Sequence, residues 1–277
     1  MLAPASFATG TEAYVYAGHL ADLAADLDAS VAAAGQLATA FAITYTLTAP
    51  LVAGAMARFG RRTVMVMGLM LIGALNLLVA AAPSLAALMA IRVACGLAAG
   101  LVGPISPLAA AELAAPGQRG GAMAMVLSGL KLAFVLGIPV GSVVGDIAGW
   151  RGTFVYAKAV APVAAVAIRV VLPAMRGGLR AGIAAFRAAL APALSASLAL
   201  TLLGIAATFT TIAYLGPIVT AISGLTGSGI GAVQAMFGVG SIEAPSSVPV
   251  LRTAPSATRV LALSFGVSAL SLGPTRP

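Results

Sequence analysis

Two long apolar runs meet at Met56-Ala57-Arg58-Phe59-Gly60-Arg61-Arg62. Three arginines beside a glycine in so short a connection mean two hydrophobic helices joined on one side of a membrane. Positive charge clustered in a short loop marks that side as cytoplasmic.

Composition narrows the fold class. Of 277 residues, 61% are hydrophobic and 8% are charged, and mean hydropathy is +1.07. Soluble domains carry about 25% charged residues. A water-soluble fold would lack the polar surface to cover this much apolar side chain. The apolar runs are unbroken Ala, Leu, Val, Gly and Met, without the in-out alternation of a membrane barrel. The chain therefore reads as an all-α integral membrane protein. Its net charge of +8 lies in short loops and forms no patch with interleaved aromatics. That pattern excludes nucleic acid as a partner. The single cysteine, Cys95, rules out an intrachain disulfide.

A spanning helix needs about 20 mostly apolar residues. On that measure helices fall at roughly 2–23, 32–56, 63–82, 85–111, 121–146, 152–174, 190–221 and 228–242, with a shorter apolar piece at 259–273. The first run lacks a basic leader and contains Glu12, so it reads as a span and not as a cleaved signal.

The connections alternate in charge. The even ones hold Arg58, Arg61 and Arg62, then Arg119, then Arg176, Arg180 and Arg187. The odd ones hold Asp22, Asp26 and Asp28, then no charge around Pro83, then Asp146 and Arg151. Basic residues mark the even connections as cytoplasmic, which puts the N-terminus inside. The expected organisation is a six-helix bundle over 1–174 and a Gly- and Arg-rich cytoplasmic loop over 175–189. A second bundle starts over 190–242, and 243–277 is an irregular segment with a short apolar tail. The stretch from Glu243 to Pro255 holds three prolines and two adjacent serines, where lipid tolerates no irregular exposed backbone. On that ground the chain reads as truncated or frame-disrupted after about Ile242.

Several stretches, taken in order, carry a resemblance. Gly10-Thr11-Glu12, Ala24-Ala25-Asp26-Leu27 and Ala34-Gly35-Gln36-Leu37 look like a family's opening. Gly60-Arg61-Arg62 resembles the end of the loop motif GxLADRxGRK. Arg92, Gly96 and Gly100 resemble a helix-four motif. Gly137-Ile138-Pro139-Val140-Gly141, then Gly149-Trp150-Arg151, resemble the helix-five antiporter motif and its exit. Tyr214-Leu215-Gly216-Pro217 looks like helix seven. The family is the major facilitator superfamily, in its proton-driven drug and sugar efflux (arabinose-efflux-like) branch. The resemblance covers about residues 7–242 and departs from the pattern at Ala57, where the loop motif has an acid. It implies two six-helix bundles around a central cavity.

Glu12 is the sharpest candidate for chemistry. An ionisable side chain deep in an apolar run is costly and commonly functional. It reads as a group that exchanges a proton, against the alternative of a structural carboxylate bonded to a neighbouring helix. Tyr16 and His19 follow at i+4 and i+7, which makes one polar stripe. His19 reads as interfacial. Arg92 shares a helix face with Gly96, Gly100 and Gly103. It is either the charge partner of Glu12 or the substrate, or a lock on helix packing. Gly137, Gly141 and Gly145 recur every four residues, with Pro139 among them. The resemblance makes them the hinge between bundles; ordinary close packing is the alternative. Lys131 either lines the cavity or pairs with Glu12. Thr211 and Tyr214 offer polar contacts from the second bundle.

No catalytic motif, metal-ligand spacing or Walker sequence is present, so neither an enzyme nor a cofactor is expected. The expected function is secondary transport: export of a small organic solute, drug-like or sugar-like, by proton antiport. The expected partners are the lipid bilayer, the small-molecule substrate and protons. The protein is expected to be a monomer in the cell (inner) membrane. The competing reading is a transport-inactive remnant.

Overall fold

The computed structural model describes residues 2–55, 59–175 and 212–243, with isolated helical positions at 199, 202, 203 and 206. Among the described residues every regular element is helical. The elements are α1 (Ala3–Tyr14), a 3-10 turn (Ala17–His19), α2 (Leu20–Asp26), α3 (Val31–Ala55) and α4 (Arg61–Ala80). Then come α5 (Leu85–Gly100), α6 (Ile105–Leu113), α7 (Arg119–Leu132), a π turn (Ala133–Gly137) and α8 (Ile138–Val171). The last two are α9 (Leu215–Ser223) and α10 (Ser228–Glu243).

Among the described residues, four stretches are long and apolar enough to cross a membrane: Val31–Thr48, Arg61–Ala80, Leu85–Leu113 and Arg119–Val171. The last holds 53 residues, about 80 Å of helix against a hydrocarbon core of about 30 Å. It is two spans. The chain reverses at Gly149, whose φ of 72° lies in the left-handed region. A side chain there would be strained, which explains a glycine at the turn. α9 and α10 are bent by 116° and together can make a further crossing. Large apolar side chains such as Val163 and Val170 are 70% and 78% exposed. Lipid is a suitable surrounding for such a surface, whereas water is not.

Three spans differ from the uninterrupted helices expected. The first breaks after Tyr14 into the 3-10 turn and α2. The fourth breaks between Gly100 and Ile105, where Gly103 and Pro104 supply weak helix propensity and a missing N–H. The fifth carries the π turn immediately before Pro139, whose ring removes the helical donor to Val135. Serines start two helices: Ser30 Oγ accepts from Ala33 N at 3.1 Å and Ser84 Oγ from Ala87 N at 3.3 Å. The seventh helix expected at 190–221 is described only in part. The segment 244–277, where disruption was expected, lies outside the described residues, as does Ala57.

α1 packs along α7, α3 along α5, and α4 along α8. The connections gather at two ends. At one end Arg61 pairs with Glu112, and Arg62 Nη1 donates to the Leu172 carbonyl at 3.1 Å. At the other, Arg151 pairs with Asp26 and donates to the Ala82 carbonyl at 3.3 Å. The loops that alternate in charge thus lie at opposite ends of the bundle.

Candidate functional site

Glu12, Asn76 and Arg92 meet inside the first bundle, from α1, α4 and α5. Their exposures are 1%, 0% and 0%. Arg92 Nη1 lies 2.6 Å from Glu12 Oε1. Asn76 Nδ2 donates to Glu12 Oε2 and, at 2.9 Å, to the Ile72 carbonyl of its own helix. Arg92 also donates to the backbone carbonyls of Glu12 and Ala13, each at 3.2 Å. Its guanidinium carbon lies 4.6 Å from the centre of the Phe41 ring and 5.1 Å from that of Tyr16. The two rings offer π faces to a cation stripped of water. Arg92 is therefore held by carbonyls and rings as well as by the carboxylate. It can stay in place when Glu12 changes charge.

A buried ion pair contributes little net stability, because desolvation offsets the attraction. In a membrane the cost argues further that the groups act. The site sits toward the Asp26–Arg151 end. Asn76 is four residues from the end of α4 at Ala80, and Arg92 is seven from the start of α5 at Leu85, about 6 and 10 Å of helical rise.

Two glycine stripes explain the close packing around it. Along the fifth span a Cβ at Gly137, Gly141 or Gly145 would fall 2.1 Å from Thr11 Oγ1, 2.3 Å from Val15 Cγ2 and 2.3 Å from the His19 ring. Both partners advance by four residues, so the first and fifth spans touch backbone-close along one line. The three glycines thus meet the first span. Pro139 and Ser142 lie against Gly231 of α10. On the fourth span, Gly96 faces Phe41 and Thr44, Gly100 faces Tyr45 and Thr48, and Gly103 faces Tyr45. The face expected there is therefore the seat of α3.

His19 is buried. Its Nδ1 lies 3.0 Å from Asp22 Oδ2 and its Nε2 lies 3.0 Å from the Ser142 carbonyl. Asp146 Oδ1 is 3.7 Å away. Asp146 in turn accepts from Ser228 N, which ties the fifth span to the start of α10. Tyr214, beside α9, reaches the α3 backbone at Gly35. Lys131 lies half-buried in the last turn of α7, while the Glu12 oxygens are held by Arg92 and Asn76. Thr211 lies outside the described residues.

The loop motif latches two connections. Arg61 meets Glu112, Arg62 meets Leu172, and Gly60 lies against the Met175 carbonyl. Glu112 supplies Arg61 with an acid at the end of α6.

Sequence reasoning passed over Asn76, Glu112 and Gln234. A lone amide inside an apolar helix was the available signal for Asn76. Gln234 is buried on α10, and neither of its amide atoms has a partner. It shares a helix face with Gly231 and Gly238, which touch the fifth span at Ser142 and Val135. An unmet amide thus lies beside the contact between α10 and the fifth span.

The model of the family described as Major Facilitator Superfamily matches residues 2–275. The chain belongs to the major facilitator superfamily. It is 34% identical over 246 residues to a chloramphenicol resistance protein of Streptomyces lividans, covering 87% of this chain and 63% of that protein. It is 30% identical over 245 residues to the uncharacterized MFS-type transporter YbcL of Bacillus subtilis, covering 87% and 62%. The chain therefore spans about three fifths of the length of these relatives. The fold matches a bacterial homolog of the human lysosomal transporter Spinster, in an inward-facing and unoccupied conformation. The TM-score is 0.69 at 18% identity, over 87% of this chain and 59% of that one.

Proposed function

We propose that this major facilitator chain serves a secondary transporter that exports a small organic solute, drug-like or sugar-like, in exchange for protons. The observation that carries the reading is the Glu12–Arg92 pair, fully buried in a lipid-facing bundle. An ion pair that adds little stability, placed where charge is costly, suits a group that loads and unloads a proton. Glu12 takes the proton. Arg92, fixed by two backbone carbonyls, holds the carboxylate when it is charged.

Two bundles that rock about a shared seam give alternate access to a central site. Tyr16, Tyr214, Thr211, Lys131 and Gln234 offer polar anchors to the solute in this reading. The unmet Gln234 amide suits a neutral solute with a donor and an acceptor side by side. The Streptomyces lividans relative's name supports a drug-like solute. Helix five rocks on the Pro139–Ser142 face, with the glycine stripe holding it to helix one. Residues 1–174 form the first bundle, 175–189 the cytoplasmic connection and 190–242 the start of the second. The protein acts as a monomer in the inner membrane, with its N-terminus in the cytoplasm.

The experiment is export by purified protein in lipid vesicles under an imposed proton gradient, with chloramphenicol as the first probe and a panel of sugars and cationic drugs after it. Gradient-driven movement of one of these, lost in Glu12→Gln, supports the reading. Binding without movement of any favours the transport-inactive remnant.

A further inference from the structure

We propose that Asn76 is a positioning residue that follows the protonation state of Glu12 by turning its side-chain amide. Nδ2 holds the carboxylate, and Oδ1 receives the proton-bearing oxygen of the acid. The inference rests on the reading of Glu12 as the coupling carboxyl.

The two oxygens of Glu12 are not equivalent. Oε1 is held by Arg92 Nη1 at 2.6 Å. Oε2 faces the Asn76 amide. A proton arriving from the aqueous side settles on Oε2, because the charged guanidinium on Oε1 favours a negative oxygen more strongly than the neutral amide on Oε2 does. The new O–H bond on Oε2 then points at the N–H of Asn76, and two donors oppose each other. Turning the amide by half a revolution about its last torsion exchanges Nδ2 for Oδ1. That torsion is soft and roughly two-fold. The Oδ1 of Asn76 is at present a buried acceptor without a partner. The half-turn gives it one.

The turn gives up the bond from Nδ2 to the Ile72 carbonyl, turns Oδ1 toward that oxygen and moves the N–H donors to the unpartnered side, a cost that the new bond from the acid must exceed. That carbonyl keeps the Asn76 backbone N–H four residues on, so its helical bond survives. Release of the proton to water reverses the turn. A side-chain amide carries a donor and an acceptor on one carbon, so a half-turn exchanges them in place. A leucine would take away the amide partner of Oε2 in both forms and leave Arg92 on Oε1, and an aspartate would add a second charge. This accounts for a lone amide at 0% exposure within Leu69–Ala80. The other titratable groups facing Glu12 among the described residues are Arg92 and Cys95 on α5 and Tyr16 from the first span, with Tyr14 facing Arg92. Phe41 of α3 adds a ring without a titrating proton.

Asn76 is the sole asparagine of the chain. Asparagine labelled with 13C in its side-chain carbonyl therefore reports this amide alone in the unaltered protein. The experiment is an infrared difference spectrum of the purified protein in lipid, titrated between about pH 4 and pH 10. Protons are the only probe. The expected result is a carboxylic C=O band that grows on acidification and is lost in Glu12→Gln. The labelled amide band shifts with the same midpoint. In Asn76→Leu the carboxylic band moves to the frequency of a weakly bonded acid. Its midpoint rises by about one pH unit, because the charged form loses a stronger bond than the neutral one. An amide band that stays still while the Glu12 band titrates overturns the turning amide and leaves Glu12 as the coupling group. Absence of any band that Glu12→Gln removes overturns the reading of Glu12 itself.

Discussion

Asp146 Oδ2 on the fifth span accepts the backbone N–H of Ser228 at 2.8 Å, at the start of α10. One carboxylate thus caps a helix N-terminus across the seam, where the dipole favours negative charge. His19 stands beside it, between Asp22 and the Ser142 carbonyl. Together they close the end of the molecule that carries the acidic loops. Asp146→Ala removes a cap worth about 1 kcal/mol, so the closed seam loses about fivefold in population. In a Cys95→Ala background, a cysteine at Ser142 should react about fivefold faster with an impermeant maleimide when Asp146→Ala is added. An unchanged rate contradicts the role of this cap.

Asp26 and Arg151 give a pH signature. The Arg151 hydrogen bond, with a second from Trp150 Nε1, holds the Asp26 carboxyl below the usual carboxylate range. A depressed carboxylate contributes stability above its unfolded value of about 4. That stability is lost as pH falls through the lower folded value. The melting temperature of purified wild type should exceed that of Asp26→Asn at pH 7, and the gap should close toward about pH 3. A gap that is the same at both pH values contradicts the assignment.

Gly96 marks where the second and fourth spans touch. A Cβ there would lie 2.0 Å from Thr44 Oγ1 and 2.6 Å from the Phe41 carbonyl. The threonine can turn, but the backbone oxygen cannot. Gly96→Val should destabilise the bundle by about 1–3 kcal/mol, the usual range for overpacking. Urea-dependent unfolding or heat-stable yield after extraction checks it. Gly120→Val is the control, since nothing lies within 4 Å of that position. Equal losses for the two variants contradict the packing account.

Much of the architecture was legible because lipid imposes a simple rule. Apolar runs of the right length span, and arginines sort the loops. The boundaries at Arg61, Leu85 and Gly149 follow from that rule and from turn chemistry. The interruptions at Val15 and Gly100–Pro104 were less visible, because hydropathy does not register a change in helix type. Glu12 and Arg92 stood out as charges in apolar runs, and the structure brings them together. Asn76 and Gln234 carry no charge and passed unnoticed. Glu112 reaches Arg61 across more than one span, a pairing that no local spacing reveals. The glycine stripe at Gly137, Gly141 and Gly145 was legible as a close-packing surface. Which helix it receives depends on how the bundle assembles, and the sequence does not carry that in any single window.

The most direct measurement is the internal pH of lipid vesicles containing the purified protein, followed after transported solute is added on one side. Wild type should show a proton flux opposite to the solute. Glu12→Gln keeps the size of the side chain and removes its titration, and it should show none, while retaining solute binding. Proton flux in Glu12→Gln equal to that of wild type would contradict the assignment of Glu12 as the coupling group.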